Sequence, residues 1–144
     1  MQTDEIDMKL ISLLSENARL PVADLSRRLG IARTTVQARI DRLQDRGAIA
    51  GFTLRKGASL RPAVRATALL SIEPRAAAAV IARLKTLPQV ETVHTTSGRF
   101  DLIVILSAQT TEELDERLDD IRDAQGVKTS ESLIHLSTKI DRAG

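Results

Sequence analysis

Only two residues separate the second and third helices that the first third of this chain predicts, and that spacing constrains the fold more than any other feature. Pro21 is a favourable start for a short helix over Val22–Leu29, which Gly30 ends. A third helix then begins at Ala32 or Arg33. Helices joined by so tight a turn cross at a steep angle, and Gly30 supplies the positive φ that the turn requires. The spacing therefore predicts a helix-turn-helix.

Apolar residues at helical spacing define the two flanking helices. The first ends near Asn17, with Thr3 as its expected N-cap. The third ends at Gly47 and buries one face, formed by Val36, Ile40 and Leu43. Residues 48–54 predict one or two short strands. The sequence therefore predicts a winged helix-turn-helix domain over residues 1–54.

Positive charge is concentrated in one stretch of the chain. Between Arg27 and Arg61 the sequence has nine Lys and Arg residues against Asp41 and Asp45, a local excess of seven, whereas the whole chain has a formal net charge of +2. Residues 62–144 are mildly acidic. A basic block of this kind indicates a polyanion partner, such as nucleic acid, for the N-terminal part alone. The alternative is a solvated charged surface.

The outer side of the third helix carries the candidate DNA-binding residues. Its first residues stand nearest to base edges, where Gln can pair with adenine and Ala can contact a thymine methyl group. These residues are Arg33, Thr34, Thr35, Gln37 and Ala38. Contacts to phosphate, which fix position rather than sequence, are expected from Arg28, Arg39, Arg42 and Arg46. A plain three-helix packing element with exposed arginines is the alternative.

A second domain is predicted over residues 65–144, after a linker at residues 55–64. Its elements are strand 65–72, a helix from Pro74 to Leu87, strands 90–96 and 100–107, a helix opened by a Thr110/Glu113 capping box, and strand 127–137. This βαββαβ order predicts an α+β, ferredoxin-like fold, in which both helices cover one face of a four-stranded antiparallel sheet. A second copy of the chain is expected on the open face.

One polar turn between the middle strands is a candidate effector site. It offers hydroxyl groups, a glycine for close backbone approach and one carboxylate that could hold an ammonium group, an inventory that fits a small zwitterion. Its candidate residues are Thr96, Ser97, Gly98, Arg99 and Asp101. From the residues alone, an ordinary polar hairpin turn is the better interpretation.

Several classes of function are not expected. The chain has no Cys, which excludes disulfides, cysteine–zinc sites and thiol chemistry. His94 and His135 lie in separate predicted strands and make a poor metal site. Neither a nucleophile elbow nor a phosphate-binding glycine loop is present, so we expect no enzyme, metal or cofactor. Without a signal peptide or an apolar run of about 20 residues, a soluble cytoplasmic protein is expected.

These residues together resemble the Lrp/AsnC (leucine-responsive regulatory protein/asparagine operon regulator) family of transcription factors. The residues that carry the resemblance are Asp4-x-x-Asp7-x-x-Leu10, the stretch from Asp24 to Ile31, Val36-x-x-Arg39-Ile40-x-Arg42-Leu43 with Gly47 and Ile49, Gly51-Phe52, Gly98-x-x-Asp101, and Gly126-Val127-x-Thr129-Ser130-Glu131-Ser132. The chain departs from the family pattern at Ala32, where Ser is usual, and at Pro21, where a polar cap is usual.

The resemblance implies a sequence-specific regulator that binds an operator in double-stranded DNA and responds to a small effector, usually an amino acid. It further implies homodimers formed through the βαββαβ domains, which assemble into tetramers or octamers. Effectors would bind between dimers near Gly98 and Asp101, with Thr96, Ser97, Arg99 and the strand at 130–136 as neighbours. Effector binding would shift the population between assemblies.

Two other readings stay open at this point. Some siroheme decarboxylases resemble the same family and use His and Arg on a tetrapyrrole, which would recruit His94 and Arg99. Alternatively, the chain could be an effector-binding or oligomerisation module whose helical part does not bind DNA. Salt-dependent DNA binding separates both from a regulator.

Overall fold

The computed structural model describes residues 3–142 and divides into two compact units, with the division between Arg55 and Lys56. This division falls at the first residue of the predicted linker. Residues 1–2 and 143–144, the ends of the two predicted domains, lie outside the described residues.

The first unit contains three helices: α1 (Glu5–Glu16), α2 (Val22–Leu29) and α3 (Arg33–Asp45). Gly30 follows α2 in the left-handed conformation, with φ of 68°, as the tight turn requires. The N-cap of α1 is Asp4 and not Thr3, because the Asp4 side chain accepts a hydrogen bond from the Asp7 N–H. Aspartate at this place also complements the positive end of the helix dipole.

One face of each helix supplies the core of this unit. Its buried residues are Leu10, Leu14, Leu25, Val36, Ile40 and Leu43. Burial of each leucine stabilises the fold by about 1.5–3 kcal/mol. The three residues predicted as the inner face of the third helix are confirmed as buried, so the opposite side of α3 is left to solvent.

The strands predicted at residues 48–54 are wrong: no strand is present within residues 3–55. A strand needs a hydrogen-bonded neighbour, and every regular element of this unit is a helix. The chain after Ile49 is therefore exposed, with Phe52 50% and Leu54 70% accessible to solvent. The wing is absent from the described residues of this single chain, whereas the helix-turn-helix itself is confirmed.

The second unit has the predicted βαββαβ order. Its elements are β1 (Val64–Ile72), α4 (Ala77–Lys85), β2 (Val90–Thr95), β3 (Leu102–Ala108), α5 (Thr111–Arg122) and β4 (Val127–Ile134), after a short 3-10 turn at Ala58–Leu60. The four strands form one antiparallel sheet in the order β2-β3-β1-β4. The α+β, ferredoxin-like class is therefore confirmed.

Helix α4 begins three residues later than predicted. Pro74 lies instead at the second position of a turn whose third residue, Arg75, has φ of 68°. The Ala76 N–H closes this turn by donating to the Glu73 carbonyl oxygen at 3.0 Å. Proline suits the second position because its φ is fixed near −65°, and the positive φ that follows defines a type II turn. The capping box of α5 is confirmed, with the Glu113 N–H donating to Thr110 Oγ1 at 3.1 Å.

Alternation along the strands separates the two faces of the sheet. Ala66, Ala68 and Leu70 of β1 are fully buried with residues of α4 and α5 in one core. Their neighbours point to the other face, where cross-strand pairs join Thr67 to Ile105 and Leu69 to Ile103. The open face is defined here as Thr67, Leu69, Ile103, Ile105 and Leu133. Leu69, Ile103 and Ile105 are each partly accessible to solvent.

Candidate DNA interface and effector turn

The exposed side of α3 displays the residues predicted at base edges. Arg33, Thr34, Thr35, Gln37 and Ala38 are all exposed, while the core residues lie on the opposite side of the helix. The side chains here include one guanidinium, two hydroxyls, one amide and three methyl groups. These are the donors, acceptors and apolar surface that base edges in a major groove can engage.

The N-terminal end of α3 is a favourable place for an anion. The N-cap is Ala32, whose side chain has no oxygen to occupy the first N–H groups of α3. Such N–H groups, together with the helix dipole, favour an anion. Arg33 in the first turn and Arg28 in the last turn of α2 are both exposed. This end of α3 therefore combines N–H groups that no side chain caps with the Arg33 guanidinium, and the exposed Arg28 precedes it by five residues in the chain.

Gln37 is held by a neighbour on its own helix. Its Nε2 donates to Asp41 Oδ1 at 2.8 Å, one helical turn away. Binding of Gln37 to an adenine edge would require the amide to turn away from this carboxylate. Asp41 thus competes with any base edge for the Gln37 amide.

Arg39 does not lie on the exposed side of α3. Its side chain is 19% exposed, and Nη1 lies 2.7 Å from Asp4 Oδ2 and 3.0 Å from Asp7 Oδ1. Arg42, which is 40% exposed, reaches Asp7 Oδ2 at 3.7 Å through Nη2. We call Asp4, Asp7, Arg39 and Arg42 the acid–arginine cluster. It joins the first turn of α1 to the middle of α3.

The acidic half of the cluster is built into the start of α1. Asp7 is only 1% exposed, although it carries a charge. Asp4 accepts from the Asp7 N–H through Oδ1 at 2.8 Å and from Arg39 through Oδ2, so one carboxylate both caps the helix and pairs with the arginine. The hydrogen bond from Arg39, followed by that from the Asp7 N–H, lowers the pKa of the Asp4 carboxyl below its ordinary value.

The cluster changes the charge distribution inferred from sequence. The stretch from Arg27 to Arg61 excludes the two acids that pair with Arg39, which are 35 and 32 residues away from it along the chain. Arg27 pairs with Asp24, and Arg55 donates to the Glu16 carbonyl oxygen at 3.3 Å. A count of charged residues between Arg27 and Arg61 could not identify these partners, because they lie outside that stretch.

The predicted effector turn is a hairpin whose geometry is set by Asp101. Asp101 Oδ2 accepts from the Ile72 N–H at 2.9 Å, at the point where the β1–β4 register shifts. Its own N–H donates to the Leu70 carbonyl oxygen at 2.8 Å, and its carbonyl oxygen accepts from the Thr96 N–H at 3.0 Å. Gly98 has φ of 110° at the tip. Asp101 therefore fastens the hairpin to the end of β1.

The other predicted turn residues are also engaged or exposed. Thr96 Oγ1 donates to the Phe100 carbonyl oxygen at 2.7 Å, and Ser97 is exposed. Arg99 pairs with Glu131 of β4 at 3.1 Å and lies 4.9 Å from the Phe100 ring centroid. Glu131 belongs to the strand at 130–136, which the family resemblance puts near the effector. The turn lies open on the surface of its unit rather than enclosing a ligand.

One groove of the second unit lies apart from this turn. It has a volume of about 790 Å³ and runs between α4 and α5, with Ala76, Arg83, Asp120 and Gly126 among its lining residues. None of the predicted effector residues lines it. The histidine pair is not brought together: His135 contacts Thr67 Oγ1 at 2.7 Å and His94 is exposed on β2.

Membrane insertion through a helix is not indicated. Within residues 3–142 every helix is too short or too polar to cross a bilayer.

Two family models match this chain, one in each unit. The model of the AsnC-type helix-turn-helix domain matches residues 4–44, and that of the Lrp/AsnC ligand binding domain matches residues 65–144. The HTH-type transcriptional regulator LysM of Saccharolobus solfataricus is 30% identical over 136 residues, covering 94% of this chain and 94% of that protein.

Solved structures show the same fold over nearly the whole chain. E. coli AsnC superposes with a TM-score of 0.91 at 21% identity, covering 99% of this chain and 97% of that chain. A transcriptional regulator of Neisseria meningitidis, solved as an L-Met complex, gives a TM-score of 0.89 at 22% identity, covering 97% of this chain and 94% of that chain.

Proposed function

This chain belongs to the Lrp/AsnC family of transcriptional regulators, and we propose that it reads DNA with the exposed side of α3 and senses an amino acid at the Asp101 hairpin. The observation that carries the DNA proposal is the solvent exposure of the N-terminal end of α3 together with that of Arg33 and Arg28. The predicted domain bounds, 1–54 and 65–144 with a linker at 55–64, are kept as part of this proposal.

The proposed contacts divide by chemistry. Residues at the start of α3 are placed against base edges: Arg33, Thr34, Thr35, Gln37 and Ala38. Arg28 and the partly exposed Arg42 are placed against phosphate. Arg39, predicted from sequence as a further phosphate contact, is left out of this group because two carboxylates already hold its guanidinium.

The Arg28→Gln variant should bind duplex DNA more weakly and with less dependence on salt. Each phosphate contact contributes about 0.9 to the slope of log K against log salt concentration, so the slope should fall by about one. Fluorescence anisotropy with a duplex enriched from a random pool, repeated over a salt series, measures it. Lys85→Gln, an exposed cation on α4, is the control and should leave the slope unchanged. An absence of binding by the wild type in dilute buffer would contradict the DNA proposal itself.

We propose that a second copy covers the open face of the sheet and that the dimers assemble further into tetramers or octamers. Leu69, Ile103 and Ile105 are apolar and partly accessible there, and apolar patches of this kind favour association. A site on an open hairpin would gain its remaining walls from a neighbouring copy, which couples effector binding to assembly. We place this regulator in the cytoplasm and assign it no catalytic activity. Nothing in the site favours the decarboxylase alternative.

The effector class is proposed to be an amino acid. Asp101 Oδ2 is held by the Ile72 N–H, which fixes the carboxylate in one orientation for an ammonium group. The exposed Ser97 hydroxyl and the backbone N–H of Gly98 suit a carboxylate, whereas the Thr96 hydroxyl and N–H already donate to the Phe100 and Asp101 carbonyl oxygens and shape the turn. The neighbouring structure from Neisseria meningitidis, solved with L-Met, supports the class without naming the effector of this chain.

At least one of the twenty amino acids should raise the melting temperature of the wild type, and Asp101→Asn should abolish that response. Saturating ligand at a hundred times Kd stabilises the native state by about 2.7 kcal/mol. Asparagine can still accept from the Ile72 N–H, so the variant tests the charge and not the hairpin. Asp115→Asn on α5 is the matched control. A normal response from Asp101→Asn would show that the ammonium site is elsewhere.

A further inference from the structure

We propose that the acid–arginine cluster sets the orientation of α3 for DNA binding, and that Arg39 is a positioning residue rather than a phosphate contact. This inference rests on the proposed function, in which the exposed side of α3 enters the groove. It reverses the role that the charge of Arg39 alone would indicate.

The contacts of Arg39 leave little of it for a duplex. A single nitrogen, Nη1, lies within hydrogen-bond distance of a carboxylate on Asp4 and of a second one on Asp7. The hydrogen bonds to Asp4 and then to Asp7 also raise the pKa of Arg39. At Nη1 a phosphate would have to displace two carboxylates at the start of α1, and only 19% of the Arg39 side chain is exposed to reach a duplex by another nitrogen.

The cluster adds direction to a contact that is otherwise apolar. Leucine and valine side chains between α1 and α3 attract without strong orientation, and such a contact tolerates small rotations. Charge-assisted hydrogen bonds from one guanidinium nitrogen to two carboxylates are directional. Asp7 is almost wholly buried, so a rotation of α3 that removed Arg39 would leave its carboxylate without its closest charged partner. The angle of α3 is thereby tied to the start of α1.

The two roles predict opposite signs for one substitution. If only electrostatics mattered, removal of a negative charge near α3 would tighten DNA binding and steepen its salt dependence. If the cluster positions α3, removal of the same charge weakens binding and leaves the slope unchanged. Asp4→Asn tests the sign of the change in DNA affinity with little structural disturbance. Asparagine caps a helix as well as aspartate does, but it presents an uncharged amide to Arg39.

The experiment compares wild type, Asp4→Asn, Arg39→Gln and Glu5→Gln with the selected duplex over a salt series. Glu5→Gln is the matched control, since Glu5 is an exposed acid in the same helical turn. We expect Asp4→Asn to weaken binding by about threefold or more, a usual size for coupling between neighbouring groups. We expect Arg39→Gln to weaken it without a change in slope, and Glu5→Gln not to weaken it.

Amide hydrogen exchange of α3 in the DNA-free protein is the second arm, and Asp4→Asn should accelerate it. Tighter binding by Asp4→Asn, a slope reduced by about one in Arg39→Gln, or unchanged exchange in Asp4→Asn would each overturn the positioning role. If the wild type binds no duplex, the proposed function fails on its own. The hydrogen-exchange measurement on Asp4→Asn needs no DNA, so it still decides whether the cluster fixes α3. It also decides this if Arg39→Gln does not fold.

Discussion

In Arg39→Met, the backbone amide hydrogens of α1, α2 and α3 are expected to exchange with solvent about a hundredfold faster than in the wild type. Methionine keeps much of the packing volume but leaves the Asp7 carboxylate, which is 1% exposed, without its closest charged partner. Arg42 at 3.7 Å is farther away and more exposed, so it can offset only part of the loss. Hydrogen-exchange mass spectrometry of peptides from α1 and α3 gives the measurement.

Two comparisons separate charge from packing in that result. The double variant Asp7→Leu/Arg39→Met removes both charges and should recover most of the protection, because an apolar pair can replace a buried ion pair without loss of stability. Arg33→Met removes an exposed arginine from the same helix and should leave exchange unchanged. Equal exchange in Arg33→Met and Arg39→Met would mean that the cluster contributes no stability.

The second large effect is expected from Ile105→Arg, which should convert the assembly to monomers. Ile105 lies on the open face, where it pairs with Thr67 across the β1–β3 ladder and is only partly accessible to solvent. A guanidinium at that place would have to be desolvated between two apolar sheets. Disruption of a central interface residue costs about 2 kcal/mol or more, which raises the dissociation constant about thirtyfold. Sedimentation equilibrium over a concentration series measures it.

Ala78→Arg is the matched control because it adds the same charge at an exposed position of α4, on the helical side of the sheet. It should sediment like the wild type. If Ile105→Arg stays assembled and Ala78→Arg dissociates, copies meet through the helices and the proposed dimer is placed on the wrong face.

The elements of this fold could largely be read from the sequence because local patterns determine them. The period of Val36, Ile40 and Leu43 gave the buried face of α3, and the strand predicted at residues 65–72 is present as Val64–Ile72. Errors arose where a second local preference competed. Pro74 suits a helix start and a turn equally well, and Asp4 is as good a cap as Thr3.

The roles of charged residues were less accessible from sequence. Arg39 and Arg33 look alike on a list of basic residues, yet one is held by two carboxylates and the other is exposed. Those carboxylates lie more than thirty residues away in the chain, so only the folded packing of α1 against α3 brings them together. The Asp4-x-x-Asp7 spacing was visible, but nothing local identified its partner.

The exposed stretch from Ala50 to Arg61 has a consequence for how such proteins diverge. Each unit has its own buried core, so neither fold depends on the length of the chain between them. Doubling a flexible connection costs about 0.6 kcal/mol. Insertions and deletions can therefore accumulate there. One DNA-binding domain can also be exchanged for another without changes in the sequence of the ligand-binding domain.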